Sequence, residues 1–228
     1  MARRLPKQLA FPSAPTWGGR RAGAGRKPIG VRSNAPHSSR PPHDPRNPVH
    51  VTLRAVRGLA SLRSDRVFSA LLDAFIAASH GSFRVVQFSV QTDHVHVIIE
   101  ADSGAQLRRG LNRLACRAAR AVNRACRRSG AVWGERYHGR ALRTPREVRN
   151  GLVYVLLNFR KHLRAPPGID PRSSGAWFDG WADEVPPHTG PCPVVPARTW
   201  LASVGWRRAG GRISVDETPA ATEPHPSQ

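Results

Sequence analysis

Two β-rich stretches joined by a short connection decide the fold: Phe83–Val90 (FRVVQFSV), Gln91–Asp93 (QTD) and His94–Glu100 (HVHVIIE). Both stretches are rich in β-branched and aromatic side chains, which favour strands. A connection of this length is typical of a hairpin turn. The segment therefore predicts two neighbouring antiparallel strands in the middle of the chain.

The second of these strands carries two histidines on one face. Successive side chains of a strand point to opposite faces, so His94 and His96 project together. Val95, Val97 and Ile99 point to the other face, where they can enter a core. Two imidazoles held in this way can share one divalent metal ion, although a His-x-His pair can also be purely structural.

Further elements flank the hairpin on both sides. Apolar spacing and capping signals predict, in chain order, a strand at 49–56, a helix at 65–79, a helix at 104–128, a strand at 135–143 and a helix from 145 to about 163. The order strand, helix, strand, strand, helix, strand, helix favours an α+β fold. We expect an antiparallel sheet with helices packed on it.

The helix predicted at 104–128 carries arginines and no acidic residue. Solvated helices usually mix charges of both signs, because pairs four residues apart stabilise them. A helix of one sign repels itself unless an anionic partner covers it, so we expect contact with a phosphate backbone. The DNA-binding candidates on this helix are Arg108, Arg109, Arg113, Arg117, Arg120 and Arg124.

Net charge also favours a polyanion as partner. The chain has 36 Lys and Arg against 15 Asp and Glu, a formal charge of +21, and nucleic acid is the simplest such partner. No stretch approaches the ~20 apolar residues of a membrane-spanning helix, so an anionic membrane is a weaker candidate. The three cysteines have no metal-site spacing, which suits a reducing compartment. We expect a cytoplasmic protein that is associated with the nucleoid through DNA.

The composition divides the chain into a basic arm (1–47), a basic globular body (48–164) and a nearly neutral tail (165–228). The arm lacks apolar periodicity, which predicts disorder. Its Gly-Arg-Lys-Pro stretch, with Arg26 and Lys27, can lie in a narrow minor groove, but the simpler alternative, which we favour, is nonspecific attraction to phosphate. Aromatic residues in the tail predict that it packs on the body, with only its end partly disordered.

A tyrosine follows the histidine pair after sixty residues, on the last predicted helix. Tyr154 and Asn158 lie four positions apart and share one polar stripe. A metal ion on two histidines and an amide oxygen can polarise a phosphodiester, which a tyrosine hydroxyl can then attack. Each residue also has a structural reading, since a helical tyrosine is usually a packing residue.

Several of these segments together resemble a known family, the single-tyrosine HUH transposases. The segment 90–100 resembles the signature His-hydrophobic-His, and 111–123 and 132–138 resemble the segments that follow it in that family. The sequence Tyr154-Val-Leu-Leu-Asn158 resembles the catalytic helix of the REP-associated tyrosine transposases. The similarity covers about residues 48–164.

This resemblance implies a ferredoxin-like or RRM-like fold and nicking of single-stranded DNA at hairpin ends. It also implies Mg²⁺ or Mn²⁺ held by His94, His96 and Asn158, with Tyr154 as the nucleophile that forms a 5′-phosphotyrosine intermediate. A homodimer, in which Tyr154 serves the histidines of a partner, stays open.

Three other functions remain as alternatives. The chain could be a domesticated, non-catalytic protein that binds DNA hairpins. An RNA-binding module would use aromatic residues on its central strands, whereas the strand at His94 has Val, Ile and His. A replication initiator or relaxase uses the same HUH chemistry but commonly needs a larger chain.

Overall fold

The fold is taken from a computed structural model that describes residues 41–160, 166–186, 188 and 190–219. The compact unit that contains the sheet begins at Pro42. Near its start, the imidazole Nε2 of His43 lies 2.8 Å from the carbonyl oxygen of Ala101. Arg26 and Lys27, and with them most of the basic arm, lie outside the described residues.

Four antiparallel strands form one sheet: β1 (Val49–Arg54), β2 (Phe83–Val90), β3 (His94–Ala101) and β4 (His138–Ala141). Their order across the sheet is β2-β3-β1-β4. This order, with a helix after β1 and after β3, is the ferredoxin-like arrangement. The predicted α+β fold is therefore confirmed, and the hairpin β2-β3 occupies its predicted place.

Helices α1 (Asp65–Ile76) and α2 (Gly104–Ala125) cover one face of the sheet. Their apolar sides bury Val95, Val97 and Ile99 of β3 in a common core. The approach is close at Gly110 of α2, where an added Cβ would lie 2.0 Å from the ring of Phe83. A side chain at this position would therefore push α2 off the sheet.

The other face of the sheet carries α3 (Pro145–Leu157) and the C-terminal tail. The apolar side of α3 packs on Val86 and Ile98, and the tail adds Phe178, Trp181 and Trp206 to the same cluster. Trp206 is 1% exposed. The prediction that the tail packs on the body is thus confirmed for these three aromatic residues, whereas Trp200 is 48% exposed.

Buried ion pairs hold the tail in place. The carboxylate of Asp170, fully buried, accepts two hydrogen bonds from Arg63 at 2.7 and 2.8 Å. Glu100 of β3 is also fully buried, and accepts hydrogen bonds from Arg84 and from the hydroxyl and backbone of Thr199. Asp170 and Thr199 belong to the tail, whereas their partners Arg63 and Glu100 belong to the body. These hydrogen bonds therefore fix the position of the tail on the body.

The tail also covers the outer edge of β2. The backbone N–H of Val90 donates to the carbonyl of Arg172, and the N–H of Val195 donates to the carbonyl of Val85. Between them, the N–H of Phe88 donates to the hydroxyl of Ser174. The edge strand therefore has partners on both sides.

Element ends differ from the predicted ones. Helix α1 ends at Ile76 rather than at 79, and the side chain of Ser64 makes no capping hydrogen bond. Helix α2 ends at Ala125 rather than at 128, because Arg127 takes a positive φ of 49° that stops the helix. None of the helices in the described ranges is long and apolar enough to cross a membrane.

Candidate active site

The two histidines of β3 lie side by side on the face that α3 covers. The ring centroids of His94 and His96 are 4.6 Å apart, with the rings nearly perpendicular. His96 is 3% exposed, and the side chain of His94 is 13% exposed. The strand alternation that the sequence predicts is therefore present, with the valines of β3 in the core on the other side.

Tyr154 lies against the histidine pair of its own chain. Its ring centroid is 5.0 Å from that of His96, and the two rings meet edge to face. Helix α3 places it there because Leu152, Val155 and Leu156 are buried against the sheet and the tail, which turns Tyr154 toward the polar row of β3. Tyr154 itself is only partly buried.

A third histidine belongs to the site and was missed by sequence reasoning. The Nε2 of His50 on β1 lies 3.2 Å from the Nδ1 of His96, and the hydroxyl of Thr52 lies 3.1 Å from the same atom. The ring centroid of His50 is also 5.6 Å from that of Tyr154. The alternation of β1 places His50 on its polar face, but only the pairing of β1 with β3 brings it to His96.

The environment of His50 keeps its ring neutral. Burial, assisted by the positive charge of Arg140, lowers the pKa of His50 to about 4. Since the ring carries no charge at neutral pH, it can contact His96 without repelling a cation. The two contacts at Nδ1 of His96 leave its Nε2 as the nitrogen for a metal ion.

An aspartate orients the other histidine. Nδ1 of His94 lies 2.7 Å from a carboxylate oxygen of Asp93. This hydrogen bond, together with the charges of His94 and Arg54, holds the pKa of Asp93 below its usual value. A carboxylate on one imidazole nitrogen is the common arrangement behind a metal-binding histidine, because it fixes the ring and makes the other nitrogen more basic.

Asn158 ends α3 one turn after Tyr154. Its backbone N–H donates to the carbonyl of Tyr154, and the residue is 1% exposed. The side-chain nitrogen has no hydrogen-bond partner in the described part of the chain. The amide nitrogen is a donor and does not bind a cation in this orientation. A half-turn of the amide exchanges its nitrogen for the oxygen that a hard cation requires.

The donor set fits a weak site for Mg²⁺ or Mn²⁺. Within the described ranges, no group of three His, Cys, Asp or Glu side chains is arranged to hold a metal ion. A cation would thus depend on two imidazoles and on amide oxygen. Neutral ligands of this kind bind loosely and leave positions open for a phosphate.

The predicted arginines lie on the opposite side of the sheet from the histidines. Arg108, Arg109, Arg113, Arg117, Arg120 and Arg124 are all exposed on α2. Four of them line a groove of about 650 Å³ between α1 and α2, beside the single acid Asp73. In the part of the chain that the structure describes, none of the six forms an ion pair. The structure therefore brings Tyr154, His94 and His96 together but separates them from the basic helix.

Comparisons with known proteins give a family match and a similar solved structure. The family described as IS200-like transposases matches residues 66–143, a range that includes both histidines of β3 and all of α2, and ends before Tyr154. A solved structure of a REP-associated tyrosine transposase bound to a REP hairpin is 18% identical, with a TM-score of 0.47, over 56% of this chain and 74% of that one. No curated protein matches the sequence. Residues 66–143 of this chain thus resemble the IS200-like transposase family.

Proposed function

We propose that this protein nicks single-stranded DNA and transfers the strand through a covalent phosphotyrosine. One observation carries the proposal: the ring of Tyr154 lies 5.0 Å from that of His96 within a single chain. The match of residues 66–143 to the IS200-like transposase family supports DNA as the substrate. The single-stranded character, the metal and the tyrosine nucleophile are part of the proposal.

The residues would act as follows. His94 and His96, through Nε2, and Asn158, through its amide oxygen, would hold Mg²⁺ or Mn²⁺. When bound, the cation would polarise the scissile phosphate. The Tyr154 oxygen forms a bond to phosphorus and the bond from phosphorus to the 3′ oxygen breaks. Tyr154 loses its proton, and the leaving oxygen gains one to become a 3′-hydroxyl.

The phosphotyrosine keeps the energy of the broken ester. A 3′-hydroxyl can attack it in the reverse direction and join a new strand, so transfer requires no nucleoside triphosphate. The first step requires that Tyr154 gives up its proton, because a neutral phenol is a much weaker nucleophile than a phenolate.

The position of the arginines suggests how DNA would be held. The groove between α1 and α2 lies on one face of the sheet and Tyr154 on the other. A substrate that contacts both must have a part that binds the arginines and a flexible part that reaches around the sheet. A hairpin with a single-stranded flank has both parts. We propose such DNA as the partner, with the arginines contacting its phosphates.

A covalent-adduct assay tests the proposal. Hairpin DNA with a labelled single-stranded flank is incubated with protein and Mn²⁺, and the mixture is then denatured. A labelled band at the mass of the protein is expected for the wild type and for Tyr137→Phe, because Tyr137 packs against the core on the far side of the sheet. The band is expected to vanish for Tyr154→Phe.

The competing function is binding of DNA hairpins without chemistry, which the exposed arginines on α2 would support by themselves. Tight binding by the wild type with no adduct under any metal would establish this alternative. An adduct that survives in Tyr154→Phe would instead mean that another residue is the nucleophile.

A further inference from the structure

Gln91 is a buried side chain with an unmet hydrogen bond. The residue is 1% exposed. Its amide nitrogen donates to the hydroxyl of Ser89 at 2.6 Å, while its amide oxygen has no donor anywhere in the described part of the chain. With the amide nitrogen directed at Ser89, the oxygen is the end left without a partner.

Gln91 stands directly beside the histidine pair. Its backbone N–H donates to the carbonyl of His94 and closes the β2-β3 hairpin. One step along the strands, Ser89 pairs with His96. Val90 and Val95, which pair between them, point into the core on the other face. Gln91 and Ser89 therefore flank His94 and His96 on the polar face of the sheet, where opposed side chains are close neighbours.

The unmet oxygen requires an explanation. A buried acceptor without a donor costs stability, and an apolar side chain of similar size would avoid this cost. Residues that break a packing rule in this way are concentrated at functional sites. Gln87, four residues earlier on the same face, provides a contrast, because its amide oxygen accepts a hydrogen bond of 2.6 Å from Ser174.

We propose that the amide oxygen of Gln91 is a ligand of the divalent cation that His94 and His96 hold. This inference rests on the proposed function. Two imidazoles are a poor site for a hard cation, which prefers oxygen, and Gln91 offers an oxygen held in position by Ser89. Gln91 and Asn158 would then supply oxygen from the sheet and from α3, respectively.

Metal binding to the protein without DNA tests this role. Mn²⁺ is titrated into the full chain, and affinity is measured by calorimetry or by the electron paramagnetic resonance of free Mn²⁺. Gln91→Met is expected to weaken binding about 10-fold or more. Gln91→Glu keeps an oxygen and adds charge, so it is expected to bind Mn²⁺ more tightly than the wild type. Unchanged affinity in Gln91→Met, or no gain in Gln91→Glu, would overturn the inference.

Gln87→Met is the matched control. It removes a buried glutamine whose amide oxygen already accepts a hydrogen bond from Ser174, so it should lower the melting temperature of the metal-free protein more than Gln91→Met does and leave Mn²⁺ affinity unchanged. His94→Ala separates the inference from the function it rests on. If the wild type binds Mn²⁺ and His94→Ala does not, the histidine site exists, and only the Gln91 result decides the present inference. If His94→Ala binds as the wild type does, both fail.

Discussion

The phenol ring of Tyr154 stands edge-on to the imidazole of His96, with ring centroids 5.0 Å apart and planes at 76°. Both residues belong to the same chain. The candidate nucleophile and a candidate metal ligand are thus brought together by the packing of α3 on its own sheet, and we predict that one chain supplies both.

Mixing two inactive variants tests this arrangement. Tyr154→Phe and His94→Ala each lack one half of the site, and an equimolar mixture should form no more covalent adduct than either variant alone. If the tyrosine of one chain served the histidines of another, the intact Tyr154 of the His94→Ala variant would meet the intact histidines of the Tyr154→Phe variant, and this pair would be active. Recovery of roughly a quarter or more of the wild-type adduct would therefore contradict the arrangement within one chain.

Asn158 provides a second prediction. Asn158→Ala should reduce cleavage about 10- to 100-fold by weakening metal binding, and raised Mn²⁺ should restore part of the loss. Tyr154→Phe should show no rescue, because a metal ion cannot replace the missing hydroxyl. If Asn158→Ala instead lowers only the melting temperature, with the wild-type dependence of cleavage on Mn²⁺, the residue has a structural role at the end of α3.

The arginines of α2 should determine how DNA binding responds to salt. Each phosphate contact that is lost should reduce the slope of log affinity against log salt by about 0.7 to 0.9. Arg117→Gln and Arg120→Gln should each flatten the slope by about this amount. Arg46→Gln is the control, since Arg46 is already paired with Asp44 at 2.9 Å and lies outside α2.

His94→Ala should bind DNA with nearly the wild-type slope, because its effect is confined to the chemistry. Deletion of residues 1–40, which retains His43, should flatten the slope further than a single arginine does. An unchanged slope after the deletion would remove the arm from the interface.

Stability should depend on the tail. Trp206 is 1% exposed and packs with Phe178 against α3. Trp206→Ala should lower the free energy of unfolding by about 3 to 5 kcal/mol. Trp200→Ala, at a residue 48% exposed, should cost much less. Equal losses in the two variants, measured by denaturant unfolding, would show that the tail does not pack as described.

Acidification should loosen the same region through Glu217. Burial alone would raise the pKa of this carboxyl, but hydrogen bonds from Arg149 and the Ser214 backbone outweigh it and hold the pKa below its ordinary 4.5. A lowered pKa contributes stability above the unfolded value, and this contribution is lost as the pH falls through the folded value. Glu217→Gln should therefore be less stable than the wild type at pH 7, and the difference should shrink as the pH falls below 4.5. A difference of constant size would contradict the assignment.

Local patterns in the sequence were sufficient to predict the positions of some residues of the candidate site. Alternation along β3 placed His94 and His96 on one face, and the helical repeat placed Asn158 one turn after Tyr154. His50 could not be assigned, because its role depends on the register between β1 and β3, which adjacent residues do not encode. The partner of Arg63 was equally hidden, since Asp170 lies 107 positions away.

The sequence pattern also did not predict that the basic helix α2 and the histidines of β3 lie on opposite faces of the sheet. The apolar stripe of α2 predicts that its arginines face solvent, but it does not indicate which face of the sheet the helix covers. That choice follows from the connections of the whole fold, in which α1 and α2 share one layer and α3 forms the other with the tail.

The two edges of the sheet determine whether neighbouring copies of the protein can join through their edge strands. Bare edge strands are where separate proteins add to each other's sheets and aggregate. Here the tail backbone occupies the edge at β2, while β4 on the opposite edge has four residues and exposes His138 and Arg140. We therefore predict that copies crowded together, such as on the proposed DNA partner, do not join through the edges of their sheets.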